Sequence, residues 1–384
     1  MAPSSSPLSL ALIRQRYTPF GGAERFLERA MAALQQEGVA ITLIARSWSG
    51  TGAGVQLLPC NPPSWGRLWR DVSFAGCVRR RLQQHPFHLV QSHERIAGCD
   101  LYRAGDGVHR VWLAERARTQ GWLGRLATAC SPYHHYILAA ERRLLHSPRL
   151  RGVICNSRMV QEEIRRHFQT AAEKLHVIYS GVDIHRFHPS LRPQFRESVR
   201  QQWSIPPEAL LLLCVGSGFQ RKGVPVLLEA MVALPASVYL LVVGQDRHLE
   251  AMRARARRLG VGQRVMFTGG QSEVAPFYGA ADVLVLPSRY DPFPNVALEG
   301  MGAALPLITS HQCGAADLIR HGENGFLGDS LDRPALLANI HALLADPQRR
   351  QAMGRAARQT VEPLTLEAMS QRLLALYAQL LRAA

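Results

Sequence analysis

The sequence predicts an α/β protein made of two Rossmann-like domains, and two observations carry this prediction. Short, nearly continuous apolar runs recur along the 384 residues, as is typical of strands buried on both faces of a parallel sheet. Stretches with the period of amphipathic helices separate these runs, which indicates right-handed βαβ units. Because the pattern occurs once in each half of the chain, we expect two sheets.

In the first half, the apolar run at 8–13 indicates an opening strand. It is too short for the core of a signal peptide and ends at Arg14 without a small-residue cleavage site. The predicted strands of this half cover residues 8–13, 39–45, 55–58, 88–92, 100–104 and 152–155, and the predicted helices cover 23–36, 67–84 and 157–168.

The second half repeats the plan more clearly. Its predicted strands cover residues 210–215, 238–243, 264–268, 283–286 and 305–309, and its predicted helices cover 224–233, 248–259, 274–279 and 296–303. In open α/β sheets, ligands bind beyond the carboxyl ends of the strands. We therefore expect functional motifs directly after strands, along a cleft between two facing domains.

A linker is predicted near residues 187–193, where two prolines and a serine interrupt the apolar period. This predicts one domain at 1–189 and a second at 190–363. The end of the chain has one amphipathic helix at 364–381, whose apolar face is expected to pack on another surface. Residues 364–384 are candidates for crossing back to the first domain.

Composition excludes several classes of protein. Hydrophobic residues make up 47% of the chain, which excludes a disordered protein. No apolar run approaches the ~20 residues that cross a bilayer. The formal net charge is +16. Residues 1–190 hold 25 basic and 13 acidic side chains, whereas residues 191–384 hold 20 and 16, so an anionic partner is expected for the first half. No nucleic-acid-binding motif accompanies the charge, and we predict no nucleic-acid partner.

Lysine and cysteine usage are both informative. Only Lys174 and Lys222 are lysines; the other 43 basic residues are arginines. Because arginine replaces lysine almost everywhere in this chain, a lysine that is retained indicates a specific role. We assign such a role to Lys222 and expect none for Lys174. The seven cysteines form no Cys-x-x-Cys pair, which predicts free, buried thiols in a reducing compartment and hence a cytoplasmic protein.

Three motifs follow predicted strands. Gly21-Gly22 opens a helix after the first strand, where glycines allow a ligand close to the backbone, although a tight turn explains them equally well. The second motif runs from Gly216 to Gly223 and contains Arg221-Lys222. Two adjacent cations and several backbone amides at one strand end suit a pyrophosphate. The alternative is a solvated surface pair.

The third motif, at 288–299, holds two acids. Asp291 lies in the loop after the strand at 283–286, and Glu299 lies within the following helix in an otherwise apolar stretch. A buried glutamate needs a donor, and a ribose diol supplies two hydroxyls; the alternative is an exposed helical glutamate. The amides of residues 293–296 at the helix start suit sugar hydroxyls or phosphate.

Together these motifs resemble those of the retaining GT-B glycosyltransferases of family 4. Asp291 and Glu299, separated by seven residues in an Asp-Pro-Phe … Glu frame, match the paired acids of that family. Within it, the chain is most similar to the lipopolysaccharide-core glucosyltransferases that act on inner-core heptose. The similar stretches lie at 17–22, 98–102, 216–224 and 242–246, and the linker motif at 181–183.

The resemblance implies a GT-B fold, with an acceptor-binding first domain and a second domain that binds a nucleotide sugar. It also implies a UDP-sugar donor, a lipid-borne saccharide acceptor such as the lipopolysaccharide core, and no metal or other cofactor. Catalytic roles are carried to Asp106, Arg221, Lys222 and Asp291, with Asp100 as the neighbouring alternative to Asp106. Donor-binding roles are carried to Gly21, Gly22, Gly216, Arg221, Lys222, Gly244, Asp291, Pro294, Asn295, Val296 and Glu299.

The implied roles differ among these residues. Arg221 and Lys222 would hold the diphosphate, Glu299 the ribose and Asp291 the donor-sugar hydroxyls, while Asp106 would face the reacting centre. Position 291 is Asp, where the family more often has Glu. No well-placed carboxylate nucleophile is evident, so the resemblance implies retention by a front-face mechanism rather than through a covalent intermediate.

A membrane contact is predicted at residues 110–145, where aromatic and basic side chains interleave, with the segment around Trp65 and Trp69 as a second candidate. This composition suits an anionic headgroup interface and a peripheral enzyme on the cytoplasmic face of the inner membrane. The alternative is a core helix with a solvated basic face. Two other functions remain open: a nucleotide-sugar 2-epimerase of the same fold, and a non-catalytic nucleotide-sugar or anionic-glycan binder.

Overall fold

The computed structural model describes residues 8–17, 31, 38–48 and 54–382. The chain divides into two compact units. Unit 1 contains residues up to Tyr179 and from Leu366 onward, and unit 2 contains Ser180–Thr365. Gly21, Gly22 and nearly all of the predicted helix at 23–36 lie outside the described residues.

Unit 1 is built on a seven-stranded parallel sheet with the order β5-β3-β1-β6-β7-β8-β9. Its strands are β1 (Ser9–Ile13), β3 (Ala40–Ala45), β5 (Val55–Pro59), β6 (Leu89–Ser92), β7 (Leu101–Arg103), β8 (Gly152–Cys155) and β9 (Leu175–Val177), while β2 (Arg16–Tyr17) and β4 (Ser47–Trp48) pair with each other. The described helices are α1 (Gly66–Gln84), α2 (His109–Ala117), α3 (Trp122–Ala129), α4 (Pro132–Leu145), α5 (Arg158–Phe168) and, from the end of the chain, α14 (Leu366–Arg382).

Both faces of this sheet are covered, because alternate residues of a strand point to opposite faces. Ala11 and Ile13 of β1 belong to the core on one face, together with Phe74 and Val78 of α1. Leu10 and Leu12 belong to the core on the other face. That second core also contains apolar residues of α14, namely Met369, Leu373, Leu376, Tyr377 and Leu380. The last helix is thus part of the unit with which the chain begins.

Unit 2 is built on a six-stranded parallel sheet with the order β12-β11-β10-β13-β14-β15. Its strands are β10 (Leu210–Val215), β11 (Val238–Val243), β12 (Val265–Gly269), β13 (Val283–Leu286), β14 (Leu307–Ser310) and β15 (Gly325–Gly328). Its helices are α6 (Leu191–Gln202), α7 (Phe219–Lys222), α8 (Val224–Ala233), α9 (Leu249–Arg258), α10 (Ala275–Ala280), α11 (Asn295–Gly302), α12 (Arg333–Ala345) and α13 (Pro347–Val361).

In each sheet the first strand lies inside, and the chain builds outward on one side before it crosses to the other. This is the Rossmann strand order, and it creates a topological switch point between β1 and β6 in unit 1 and between β10 and β13 in unit 2. The prediction of two Rossmann-like α/β domains is confirmed. The strands predicted at 152–155, 210–215, 238–243 and 283–286 have the predicted bounds.

The linker packs with unit 2 rather than with the first domain, to which residues 180–189 were assigned. Val182 pairs with Thr365 as an isolated bridge. The ring of Phe187 meets the ring of Tyr278 edge-on, with centroids 5.5 Å apart, and Arg358 donates to the carbonyl oxygens of Ile184 and Phe187. These contacts explain why the division of the chain falls after Tyr179.

The prediction of seven free thiols is wrong for two of them. Cys60, which follows β5, and Cys77, in α1, form a disulfide with Cα atoms 6.0 Å apart. The other five cysteines are free, and Cys130 is exposed rather than buried. Sequence spacing did not indicate the disulfide, because the pairing depends on how α1 packs against the end of the sheet.

Candidate active site

The switch point of unit 2 brings two of the sequence motifs together. Strands β10 and β13 are neighbours, with Leu212 opposite Val283 and Leu213 opposite Leu284. The loop beginning at Gly216 follows β10, and the loop containing Asp291 follows β13. The carboxyl ends of parallel strands lie at the same edge of a sheet, so the basic motif and the first of the two acids are adjacent there.

The backbone at Gly216 and at Gly244 leaves little space for a side chain. A Cβ atom on Gly216 would lie 3.0 Å from Cε of Lys222, and one on Gly244 would lie 2.4 Å from the carbonyl oxygen of Gly216. Both glycines have positive φ values. A side chain at position 244 would therefore push the loop after β10, and a side chain at position 216 would displace the stem of Lys222.

Asp291 pairs with both cations of the basic motif. Its Oδ2 atom lies 2.6 Å from Nη1 of Arg221 and 2.7 Å from Nζ of Lys222. Lys222 and Asp291 are buried, whereas Arg221 is partly exposed. The single negative charge of the carboxylate neutralises only one of the two positive charges. The cluster therefore keeps a net positive charge that suits an anionic ligand.

Electrostatics keep this acid ionised. Burial alone would raise the pKa of the Asp291 carboxyl, but the Lys222 ammonium and the Arg221 guanidinium hold that pKa below its ordinary value. The backbone around Asp291 is fixed as well: its N–H donates to Gln312 O at 3.0 Å, and its carbonyl oxygen accepts from Gly314 N at 2.8 Å. The ion cluster is therefore built into the fold.

The loop amides predicted to receive a pyrophosphate are engaged within the protein. Oδ2 of Asp246 accepts hydrogen bonds from the N–H groups of Gly218 at 2.7 Å and Phe219 at 2.9 Å. Burial acts to raise the pKa of Asp246, but these amides and that of His248 outweigh it and hold the pKa below its ordinary value. Those two amides are therefore already paired with Asp246 in this structure.

Glu299 lies in α11 and is half-buried, so it is neither the fully buried nor the fully exposed residue considered from sequence. Its Oε2 atom accepts a hydrogen bond of 2.8 Å from the hydroxyl of Tyr278. Burial raises the pKa of this phenol well above its ordinary value, and the neighbouring Glu299 raises it further. No sequence motif indicated Tyr278.

The start of α11 lies between the two acids. Pro294 precedes the helix and its carbonyl oxygen accepts from Ala297 N at 3.0 Å. Asn295 and Val296 are the first two helical residues, and both are half-buried. Their amides belong to the first turn, where the helix dipole favours negative charge. Pro294 has no N–H, so it is not among the donors expected at 293–296.

Asp106 lies in unit 1, in the loop after β7. Its side chain is 69% exposed, and Oδ2 lies 3.7 Å from Nη1 of Arg95. Arg95 also donates to Gly107 O at 3.0 Å and to Oε1 of the buried Glu141 at 2.9 Å. Arg95 thus ties the Asp106 loop to α4, a function that no sequence pattern indicated.

Asp100, the alternative to Asp106, has a structural position. Its side chain is largely buried, accepts from Val90 N at 2.8 Å and pairs with Arg149 at 3.1 Å. A carboxylate that bridges two strands and an arginine is engaged within the protein. Among the described residues, no group of three or more His, Cys, Asp or Glu side chains could hold a metal ion.

Helix α3 presents an apolar surface to solvent. Trp122 is 73% exposed, Leu123 63% and Leu126 55%. Trp65 and Trp69, at the start of α1, are also exposed. No helix in the described ranges is both long and apolar enough to cross a bilayer. Exposed tryptophan and leucine on one short helix are unusual for a surface in contact only with water.

Two family models match the chain. The model described as Glycosyltransferase Family 4 matches residues 20–186, and the model described as Glycosyl transferases group 1 matches residues 195–360. The lipopolysaccharide glucosyltransferase WaaG of Escherichia coli (strain K12) is 31% identical over 322 residues, which cover 82% of this chain and 84% of the relative. The lipopolysaccharide core biosynthesis glycosyltransferase LpsE of Rhizobium meliloti (strain 1021) is 32% identical over 162 residues, or 42% of this chain and 47% of the relative.

The fold comparison agrees with the sequence comparison. A crystal structure of WaaG, described as a glycosyltransferase involved in lipopolysaccharide biosynthesis, superposes with a TM-score of 0.81 at 27% identity. The match covers 95% of this chain and 98% of that structure. Two Rossmann-like units with these matches define a glycosyltransferase of the GT-B fold. The chain belongs to the glycosyltransferase family that includes WaaG, in which a family 4 domain precedes a group 1 domain.

Proposed function

We propose that the protein transfers a hexose, glucose in the first instance, from a UDP-sugar to a lipid-borne saccharide of the lipopolysaccharide inner core, with retention of the anomeric configuration. The observation that carries this proposal is the cluster of Arg221, Lys222 and Asp291 at the switch point of unit 2. The similarity to WaaG and to LpsE supports the acceptor class.

Arg221 and Lys222 bind the diphosphate of the donor. As the bond between the sugar and the phosphate breaks, negative charge grows on the departing oxygen, and two preorganised cations stabilise that charge more than they stabilise the ground state. Glu299 receives the ribose hydroxyls, and the first turn of α11, at Asn295 and Val296, receives sugar hydroxyls or phosphate. Gly216 and Gly244 shape the loops beside the donor, while the donor-binding role of Gly21 and Gly22 falls on residues outside the described ones.

Asp291 has two roles in this proposal. It contacts hydroxyls of the donor sugar, as in the family pattern, and it also holds Lys222 and Arg221 in place before the donor arrives. A carboxylate already bonded to both cations leaves their positions fixed, so less side-chain entropy is lost when the diphosphate binds. The shorter arm of Asp compared with Glu suits this pairing with the two cations.

Transfer takes place on one face of the sugar. The hydroxyl oxygen of the acceptor forms a bond to the anomeric carbon while the bond from that carbon to the phosphate oxygen of the donor breaks. The departing phosphate oxygen takes the proton of the acceptor hydroxyl. No metal takes part, because the two cations supply the positive charge that the leaving group needs. Asp106 of unit 1 is assigned the catalytic role at the reacting centre that the resemblance implies.

The acceptor is anchored in a membrane, so the enzyme must reach that surface. We assign the contact to α3 and its neighbours, where Trp122, Leu123 and Leu126 are exposed and Arg125 adds positive charge. Aromatic and basic residues together favour an anionic headgroup interface. The enzyme is thus peripheral on the cytoplasmic face of the inner membrane.

One incubation tests the function. The protein is mixed with individual UDP-sugars and lipopolysaccharide truncated at the inner core, with and without a metal chelator. Free UDP and a hexose-sized mass gain on the glycan, unaffected by the chelator and with the α-anomer retained, are the expected results. An isomerised donor would instead identify an epimerase, and binding without turnover would identify a non-catalytic protein.

A further inference from the structure

The pair formed by Tyr278 and Glu299 joins two helices beside the proposed donor site. The hydroxyl of Tyr278, in α10, donates to Oε2 of Glu299 at 2.8 Å and lies 3.5 Å from the carbonyl oxygen of Val296. Val296 and Glu299 both belong to α11. The phenol therefore contacts the acid and also the first turn of the helix that carries it.

The phenol is a permanent donor. Tyr278 is among the largest side chains of the described residues that are fully buried, and it stays protonated because ionisation would place a second negative charge beside Glu299 in an apolar interior. A protonated phenol donates one hydrogen bond. A carboxylate that accepts it has one oxygen fixed in direction, which restricts the rotation of the whole group.

The ring itself has little room to move. Phe187 meets it edge-on at 5.5 Å between centroids. The next residue, Gly279, lies so close to α6 that a Cβ there would be 2.2 Å from the carbonyl oxygen of Leu191. Because α10 is held this tightly, the position of the hydroxyl is set by the packing of unit 2 rather than by the ligand.

We propose that Tyr278 is a positioning residue for donor binding, which orients the Glu299 carboxylate to receive the ribose hydroxyls. This inference rests on the proposed function, since it requires that Glu299 binds the ribose. Tyr278 does not contact the donor and acts through Glu299. Its contribution should therefore appear for ligands that contain a ribose and be absent for a diphosphate alone.

The test compares two probes, UDP and inorganic pyrophosphate, on the full-length protein. Tyr278→Phe keeps the ring and its contact with Phe187, so the variant should fold, and its melting curve checks this. Loss of a hydrogen bond to a charged group is expected to weaken UDP binding about ten-fold or more and to leave pyrophosphate binding unchanged. The donor KM should rise while kcat changes little. Tyr377→Phe is the matched control, because it removes another buried phenolic hydroxyl, bonded to Gln91 in unit 1.

A double-mutant cycle with Glu299→Ala distinguishes the orienting role of Tyr278 from the binding of the ribose by Glu299. Tyr278→Phe should add no further loss of UDP affinity once Glu299 is absent. Equal weakening of both probes, or the same loss with and without Glu299, would show that Tyr278 only packs, and would overturn the inference. If Glu299→Ala itself left UDP affinity intact, the ribose assignment would fail, and the inference with it.

Discussion

The ammonium of Lys222 lies 2.7 Å from Oδ2 of Asp291, and the same oxygen lies 2.6 Å from Nη1 of Arg221. These residues come from loops that follow neighbouring strands, β10 and β13. One acid shared by two cations leaves an excess positive charge at the edge of the sheet.

Replacing Lys222 with Ala should lower turnover by ~10²–10³, the usual cost of losing one preorganised group that stabilises a leaving charge. The measurement is the initial rate of UDP release at saturating donor and acceptor. Lys174→Ala is the matched control, because it removes the second lysine of the chain, whose Nζ donates to Leu150 O at 2.9 Å in unit 1. Near-wild-type turnover in the Lys222 variant would contradict the assigned role.

Asp291→Asn should destabilise the protein by about 3–5 kcal/mol, because it leaves a buried ammonium without its counter-ion. The free energy of unfolding in urea measures this effect. The same substitution at Asp106, whose side chain is 69% exposed, should change stability by no more than about 0.5 kcal/mol. A loss at Asp291 as small as the one expected at Asp106 would mean that the ion cluster contributes little to the fold.

Replacing Trp122, Leu123 and Leu126 with Ser should weaken binding to vesicles that contain anionic lipid, since these side chains form the exposed apolar surface of α3. Flotation with anionic and neutral vesicles, at low and high salt, measures the binding. Val232→Ser removes an exposed apolar side chain from unit 2 and should have no effect. If the wild-type protein did not bind anionic vesicles at any salt concentration, the membrane assignment would be refuted.

Stability should fall as the pH drops from 7 toward 5. Burial, Arg95 and His134 lower the pKa of His109 to about 3, and burial, Arg103 and Arg14 lower the pKa of His93 well below its ordinary value. In the unfolded chain these imidazoles take up protons near pH 6.5. Below that pH the unfolded state therefore binds more protons than the folded state, and stability is lost.

Urea unfolding at pH 7 and pH 5 tests this dependence. His109→Gln should reduce the difference between the two pH values, because it removes one imidazole that titrates only in the unfolded state. His85→Gln, at an exposed position, should leave the difference unchanged. A protein equally stable at both pH values would show that these histidines are protonated in the folded state as well.

The strands of unit 2 could be predicted closely, because β10 and β11 are continuous apolar runs buried on both faces. Strand β15 could not, since it begins and ends with glycine. A Cβ on Gly325 would lie 2.4 Å from the carbonyl oxygen of Leu307 in β14, so that residue reflects a close approach between strands. Strand propensity gives no signal for such a position.

The motifs of the candidate site could be predicted from the sequence, but the residues that interact with them could not. The motif residues follow strands in a recognisable order, namely Arg221, Lys222, Asp291 and Glu299. Their interaction partners belong to no such pattern. Tyr278 is linked to Glu299, and Asp246 to the amides of Gly218 and Phe219, only through the packing of separate elements. The disulfide between Cys60 and Cys77 was missed for the same reason, because sequence spacing carries no information about how a helix docks on a sheet.

The return of α14 to unit 1 affects the order of folding during synthesis. Five residues of that helix complete one of the two cores of unit 1, and the ribosome makes them after all of Ser180–Thr365. Unit 2 is continuous in sequence and can fold as soon as it emerges, whereas one face of the first sheet waits for the last helix. Most of unit 1 is thus made before unit 2 but completed after it, and until then one face of its sheet stays uncovered.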